Sequence, residues 1–297
     1  MAMPDNVLSG LRGAGEDIFL PRGFAPRPSG PGLDMTIDIQ EWNSASFNDA
    51  PPPVLVEDQV KVWYRGLSYD APDLPSLYEV LSLDERERAG RFRVSKAKYE
   101  FVLTRGTLRL LLGCALHKHP VAVRFEYSEH GKPALSASEH SNLRFSVSHA
   151  EGMALFAFAL SREVGVDIEF VERSGNLNAI AQRFFSAREQ QTLREFSGSE
   201  LREAFFRCWT RKEAYIKACG EGLSIPLDQF DVSILKDEPA QLLATRPDPA
   251  EAGRWSLHEL MIRPGYAAAL AVAVDADCFR HSRRPSPSAA AEGRRAR

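Results

Sequence analysis

The chain states one pattern twice. A strand-like run, VKVWYRG (60–66), leads to a helix start of the capping-box form S-x-x-E, Ser82 with Glu85. A second run, VGVDIEF (164–170), leads to another, Ser186 with Glu189. In that box the serine and the glutamate satisfy each other's orphan backbone donors. Each half then carries a longer helical segment with a Thr-Arg pair, LTRGTLRLLLG and WTRKEAYIKACG, ending at Gly113 and Gly220 as a C-terminal cap prefers. Strands follow in both halves, VAVRFEYS then FSVSHAEGMALFAFAL, and LDQFDVSIL then WSLHELMIRPGYAAALAVAV. Paired apolar runs around a glycine-containing turn read as hairpins. The order strand, helix, helix, strand, hairpin, met twice, predicts an α+β fold of two similar halves related by pseudo-two-fold symmetry. A cleft between them is the expected ligand site.

The repeat sets the boundaries. Residues 56–161 form the N-terminal half and 162–279 the C-terminal half. Residues 1–55, rich in Gly, Pro, Asn and Asp and ending near NDAPPPV, show no sustained periodicity and are expected to be a disordered leader. Residues 280–297 read as a basic, solvated, disordered tail. A net charge of -3 argues against a dedicated nucleic-acid binder. The apolar runs are too short for a membrane span, and no signal peptide is evident. Scattered cysteines without C-x-x-C spacing suit free thiols, so a cytoplasmic location is expected.

The two halves differ where chemistry would sit. In VGVDIEF, Val164, Val166, Ile168 and Phe170 point one way, and Asp167 and Glu169 the other. Trp209, Glu213 and Lys217 lie four apart on one helix face. Glu213 and Lys217 could be an ordinary surface pair worth tenths of a kcal/mol, and Trp209 could be plain core. If Glu213 converges with Asp167 and Glu169, the three carboxylates repel unless a cation sits among them. With no His or Cys pair at ligand spacing, that ion is hard and oxygen-seeking, so Mg²⁺ fits, and Mg²⁺ prefers phosphate oxygens as its remaining ligands. Candidate cations for a phosphate-bearing substrate are Arg88, Arg105, Arg109, Lys132 in EHGKP and His149 in FSVSH. Each also has a plainer reading as solvated surface, turn residue or strand-end histidine. Ser146 and Ser148 share a face opposite Phe145 and Val147, mild evidence for a polar site.

The succession GKP (131–133), FSVSH (145–149), GVDIE (165–169) and WTRKEAYIKACGEGLS (209–224) resembles the 4′-phosphopantetheinyl transferases. It is similar to the surfactin-synthetase-activating type in its W-x-x-KEA branch, over residues 60 to 275. GVDIE followed some forty residues later by WTRKEAYIK is the specific part; GKP or SH alone is weak. The resemblance implies two α+β halves with coenzyme A and Mg²⁺ between them. It implies Asp167, Glu169 and Glu213 as metal carboxylates and Lys217 at the coenzyme A phosphates. Lys132 and Pro133 of GKP belong at the adenine nucleotide, and Ser148 and His149 at phosphate. Arg88 and, less specifically, Arg105 belong at the 3′-phosphate. Some members carry lysine where Glu85 stands and many carry asparagine where Ser146 stands, which leaves open how many cations hold that phosphate.

The implied reaction is Mg²⁺-dependent transfer of 4′-phosphopantetheine from coenzyme A to a serine of an apo acyl or peptidyl carrier protein, releasing adenosine 3′,5′-bisphosphate. Asp167, Glu213 and Lys217 are the expected catalytic residues, Glu213 as base either directly or through a water. The branch suggests carriers of polyketide or nonribosomal peptide synthesis. The carrier-docking surface is sought between Asn176 and Glu203, where Phe184 and Phe185 are either exposed anchors or core. A monomer is expected, since the repeat is already an internal pseudo-dimer. Two rivals remain from the residues: a Mg²⁺-dependent nucleotide pyrophosphate hydrolase, and a non-catalytic coenzyme A or carrier-binding module.

Overall fold

The computed structural model describes residues 35–42, 55–128, 131–220 and 225–274. The basic tail, most of the leader, Cys278, and the stretches 129–130 and 221–224 of two motifs lie outside the described residues.

The first half runs β1 (Thr36–Glu41), β2 (Gln59–Gly66), α1 (Leu74–Glu79), α2 (Leu83–Arg91) and α3 (Ser95–Ala115). A short hairpin follows, β3 (Phe125–Tyr127) with β4 (Pro133–Leu135), then a long one, β5 (Leu143–Ala150) with β6 (Met153–Leu160). The second half runs β7 (Val164–Phe170), α4 (Leu177–Phe184), α5 (Ala187–Leu193) and α6 (Gly198–Cys219). It too ends on a short and a long hairpin, β8 (Phe230–Val232) with β9 (Leu242–Thr245) and β10 (Trp255–Glu259) with β11 (Tyr266–Ala273). The fold is α+β, and its sheets repeat like its sequence. One sheet has the order β1-β2-β6-β5 and the other β10-β11-β7. β2 pairs antiparallel with β6 and β6 with β5, as β7 pairs antiparallel with β11 and β11 with β10.

Alternation along these strands creates three cores. Ala154, Phe156 and Phe158 of β6 face α3, while Leu155, Ala157 and Ala159 face the second sheet. On β11, Ala269, Ala271 and Ala273 lie under α6, and Ala268, Leu270 and Val272 meet the first sheet's Val60 and Val62. The middle core therefore joins the halves through aliphatic side chains, its valines, leucines and isoleucines each stabilising by about 1.5–3 kcal/mol when fully buried.

Both capping boxes form. The Ser82 amide donates to Glu85 at 3.1 Å and the Ser186 amide to Glu189 at 2.9 Å. Each glutamate is then gripped by a cation of its half's long helix: Arg109 Nε on Glu85, and Lys212 Nζ on Glu189 at 2.8 Å. Lys212, fully buried, also donates to the carbonyls of Leu227 and Phe230. These ions are desolvated, but hydrogen bonds meet their remaining demands, so the pairs fix the short helices against the long ones.

Two expectations need correction. The segment taken as a disordered leader contains β1, which pairs parallel with β2 from Thr36 opposite Gln59 to Glu41 opposite Tyr64. The run TIDIQE is too short to show a period by itself; it becomes a strand because the β2 edge offers backbone partners, with Asp38 close to Lys61 at 3.5 Å. The first long helix does not stop at Gly113 but continues to Ala115. A Cβ at 113 would lie 2.9 Å from the Lys118 carbonyl oxygen, so this glycine admits the returning chain instead of ending the helix. Gly220 does end α6, at φ +77°.

A half-buried histidine on β10 adds a pH dependence of its own. His258 on β10 shares a 2.8 Å hydrogen bond with Ser256 Oγ, and burial pushes its pKa down from 6.5 to about 4. Between those values the unfolded chain binds a proton that the folded chain refuses, so this residue makes stability fall as pH drops from 6.5 towards 4. Urea midpoints for the native chain and His258→Asn are expected to converge on acidification through that window. A constant offset between the two curves would contradict the buried neutral state.

Candidate active site

The site begins with a missing side chain. Gly165 lies on β7 where α6 crosses it, and a Cβ there would come within 2.1 Å of the Ala214 carbonyl oxygen and 2.3 Å of the Ala218 amide nitrogen. Only glycine lets the helix lie directly on the strand. The close crossing sets the next residues of that strand face, Asp167 and Glu169, near the helix residues Glu213 and Lys217. All three carboxylates are buried: Asp167 is 4% exposed, Glu169 3% and Glu213 2%.

From the other half, β5 comes alongside β7. Its serines replace the strand partner that β7 lacks on this edge: Ser146 Oγ accepts from the Val166 amide at 3.1 Å and Ser148 Oγ from the Ile168 amide at 3.4 Å. Ser148 Oγ also donates to Asp167 Oδ1 at 2.9 Å and accepts from Lys217 Nζ at 2.9 Å. One hydroxyl thus spends its donor and both lone pairs. Lys217 Nζ closes the triangle on Asp167 Oδ1 at 2.6 Å. The structure therefore brings together Ser148, Asp167 and Lys217, one residue from the first half and two from the second. Lys132 joins them across the same boundary, its ammonium donating to the Lys217 carbonyl. Burial, with Lys217 and Arg144 nearby, lowers the Lys132 pKa.

The electrostatics carry the mark of crowded negative charge. Glu169 and Glu213 are each pushed up to about 7, first by burial and next by the charge of Asp167. Asp167 Oδ2 is buried and accepts no hydrogen bond among the described residues. A hard cation would relieve both conditions, and all-carboxylate donors suit magnesium. As placed, no group of three or more His, Cys, Asp or Glu among the described residues is drawn tightly enough to hold a metal ion. Lys217 and Arg173 supply the positive charge instead, on Asp167 and Glu169 respectively. The residues thus fit a divalent ion in chemistry and in an orphaned oxygen.

Other expected residues lie apart from this cluster. His149 is exposed and, one residue on from Ser148, projects from the opposite strand face. Arg88 is exposed on α2 with its guanidinium over the Phe101 ring at 5.1 Å. Arg105 Nε lies 3.5 Å from Glu85, and its guanidinium covers the Phe125 ring at 4.9 Å. Arg109 is not solvated surface: it is 3% exposed and spends itself on Glu85 and the carbonyls of Pro120, Val121 and Val123. Pro133 opens β4 beside Lys132. Of the two phenylalanines considered for docking, Phe185 is buried and Phe184 packs on the same core, both against Trp209.

Sequence reasoning missed Arg173, whose partner Glu169 lies four residues earlier. No helix spans that interval, so helical spacing gives no warning of the pair. It also missed why Gly165 precedes the acidic pair, which becomes visible only when a helix lies over it.

Residues 163–271 match the profile of the 4′-phosphopantetheinyl transferase superfamily. The 4′-phosphopantetheinyl transferase HetI of Nostoc sp. is 37% identical over 224 residues, 75% of this chain and 91% of its own length. The 4′-phosphopantetheinyl transferase Sfp of Bacillus subtilis is 30% identical over 65% of this chain and 82% of its own. A holo-(acyl-carrier-protein) synthase from Bacillus anthracis, solved in complex with CoA (3′,5′-ADP), matches 37% of this chain and 94% of its own at 22% identity, with a TM-score of 0.31. That last match carries no weight for this chain. The family profile and these relatives define a transferase with an α+β fold. The chain is a member of the 4′-phosphopantetheinyl transferase family.

The helix-strand crossing should be the least tolerant point of the site. Gly165→Ala forces backbone apart and is expected to cost about 3 kcal/mol or more, at the upper end of overpacking. Thermal melting checks this, and an unchanged midpoint would show that α6 is not seated on β7 as described.

Proposed function

We propose that this chain transfers 4′-phosphopantetheine from coenzyme A to a serine of an apo acyl or peptidyl carrier protein. The observation carrying the proposal is the buried junction at which Ser148 of one half meets Asp167 and Lys217 of the other, with two further carboxylates close enough to feel Asp167. A phosphoryl transfer asks the protein mainly for positioning and charge compensation. Lys217, one helical turn beyond Glu213, directs an ammonium into the site. Ser148 holds that ammonium and Asp167 in register. Lys132 reaches the same helix end from the first half, where it can receive the nucleotide portion of coenzyme A.

Asp167, Glu169 and Glu213 would hold magnesium, which when bound supplies positive charge beside the pyrophosphate. In the transfer the carrier serine oxygen bonds to the pantetheine-side phosphorus and the bond to the bridging pyrophosphate oxygen breaks. Adenosine 3′,5′-bisphosphate departs, and the hydroxyl proton is accepted by Glu213, directly or through a water. Arg88 and Arg105 are assigned to the 3′-phosphate and His149 to phosphate by the family resemblance. The division at residues 161–162 separates the two halves that supply the walls, and the chain acts as a cytoplasmic monomer. Among the described residues no helix is long and apolar enough to cross a membrane. Carriers of polyketide or nonribosomal peptide synthesis are the proposed partners.

Intact-mass measurement decides among the readings. The expected result is a gain of one 4′-phosphopantetheinyl group on an apo carrier, requiring both coenzyme A and Mg²⁺. Coenzyme A hydrolysis without carrier would favour the pyrophosphatase, and coenzyme A binding without any product would favour a binding module. Glu213→Gln is expected to remove most turnover while retaining coenzyme A binding by calorimetry. Near-native turnover in that variant would reject Glu213 as the base.

A further inference from the structure

Arg173 lies in the turn that leaves β7, and its Nη1 donates to Glu169 Oε2 at 3.3 Å. The pair is well shielded, with side chains 14% and 4% exposed. The turn is held in place: Arg202, in the first turns of α6, donates through Nη1 to the carbonyl of Val171 at 3.2 Å and to that of Arg173 at 2.9 Å. The backbone of the turn that bears Arg173 is thereby tied to the same helix that supplies Glu213 and Lys217. The carboxylates of β7 are consequently compensated from two directions. Asp167 keeps one oxygen buried without a hydrogen-bond partner among the described residues, whereas Glu169 has one oxygen engaged by a cation from outside the cluster.

Resting on the proposal that Asp167, Glu169 and Glu213 hold magnesium, we infer that Arg173 is a positioning residue that withholds one Glu169 oxygen from the ion. An ion in this site has fewer carboxylate oxygens than the three acids could offer. Magnesium completes its shell with phosphate oxygens, so the ion is held firmly only once coenzyme A is present. Metal and substrate therefore strengthen each other's binding, reciprocally, as linkage requires.

The test measures binding without turnover. Mn²⁺ affinity of the full chain is read by electron paramagnetic resonance, with and without coenzyme A. The native chain is expected to bind Mn²⁺ weakly alone and more tightly with coenzyme A. Arg173→Gln is expected to bind Mn²⁺ alone about fivefold more tightly, the equivalent of a pair near 1 kcal/mol. General damage to the site would loosen metal instead. Arg202→Gln, which leaves Arg173 present but releases its turn, is expected to shift affinity in the same direction. On a Glu169→Gln background the Arg173→Gln effect is expected to vanish, because the cycle isolates the coupling between the two. Equal or weaker Mn²⁺ binding by Arg173→Gln overturns the inference, as does an effect that persists without the Glu169 charge. Failure of the native chain to bind Mn²⁺ under either condition sinks the magnesium proposal itself, a different outcome from an unresponsive Arg173.

Discussion

The seating of α6 on β7 at Gly165 is the contact on which the rest depends. A strand and a helix normally stand apart by the depth of their side chains. Here the side chain is absent, and backbone approaches so closely that a single Cβ would overlap the Ala214 carbonyl. Alanines on the neighbouring strand, Ala269, Ala271 and Ala273, extend the same flat floor beneath the helix. Close approach turns Asp167 and Glu169, which would otherwise be a wet face of an ordinary strand, into buried groups facing Glu213 and Lys217. The raised pKa values of Glu169 and Glu213 follow from it, since burial is the largest cause and the charge of Asp167 the next.

The repeated order of elements accounts for a charged cluster that lies where the two sheets meet. Both halves use the same frame: a capped short helix tied by a buried ion pair to a long helix, over a sheet made from the opening strand and the closing hairpin. Within that frame the halves have specialised. In the first, the long helix commits Arg109 to Glu85 and to three carbonyls, leaving it no role towards a ligand. In the second, Lys212 takes the tie to Glu189, and Glu213 and Lys217 are left to face the strand. The first half instead contributes an edge. Ser146 and Ser148 serve as hydrogen-bond partners for a strand that has no neighbour there, and this stitches the sheets together exactly where the charges meet.

The differences between expectation and structure have a common origin in contacts remote along the chain. The strand at 36–41 carries too few residues to declare itself and exists because β2 had an open edge. Gly113 resembles a helix stop, yet its missing side chain serves the passage of residues 118–120. By contrast, Phe184 and Phe185, either exposed anchors or core on the sequence alone, are both taken by the aromatic cluster around Trp209, the core alternative.

Periodicity, capping boxes and the repeated order of elements were legible along the chain because they are local: each depends on residues within a few positions of one another. They determined the α+β class, both long helices, the hairpins and the pairing of Asp167 with Glu169 on one strand face. Motif resemblance added the family, and the same acids as candidates. What only the tertiary structure decided is which groups share space: that Ser148 meets Lys217 and Asp167, that Arg109 is spent inside the first half, and that Arg173 engages Glu169. Charge interactions act through distance in space and through loss of water, and neither quantity is written in residue order; both appear only when β5, β7 and α6 close on one another.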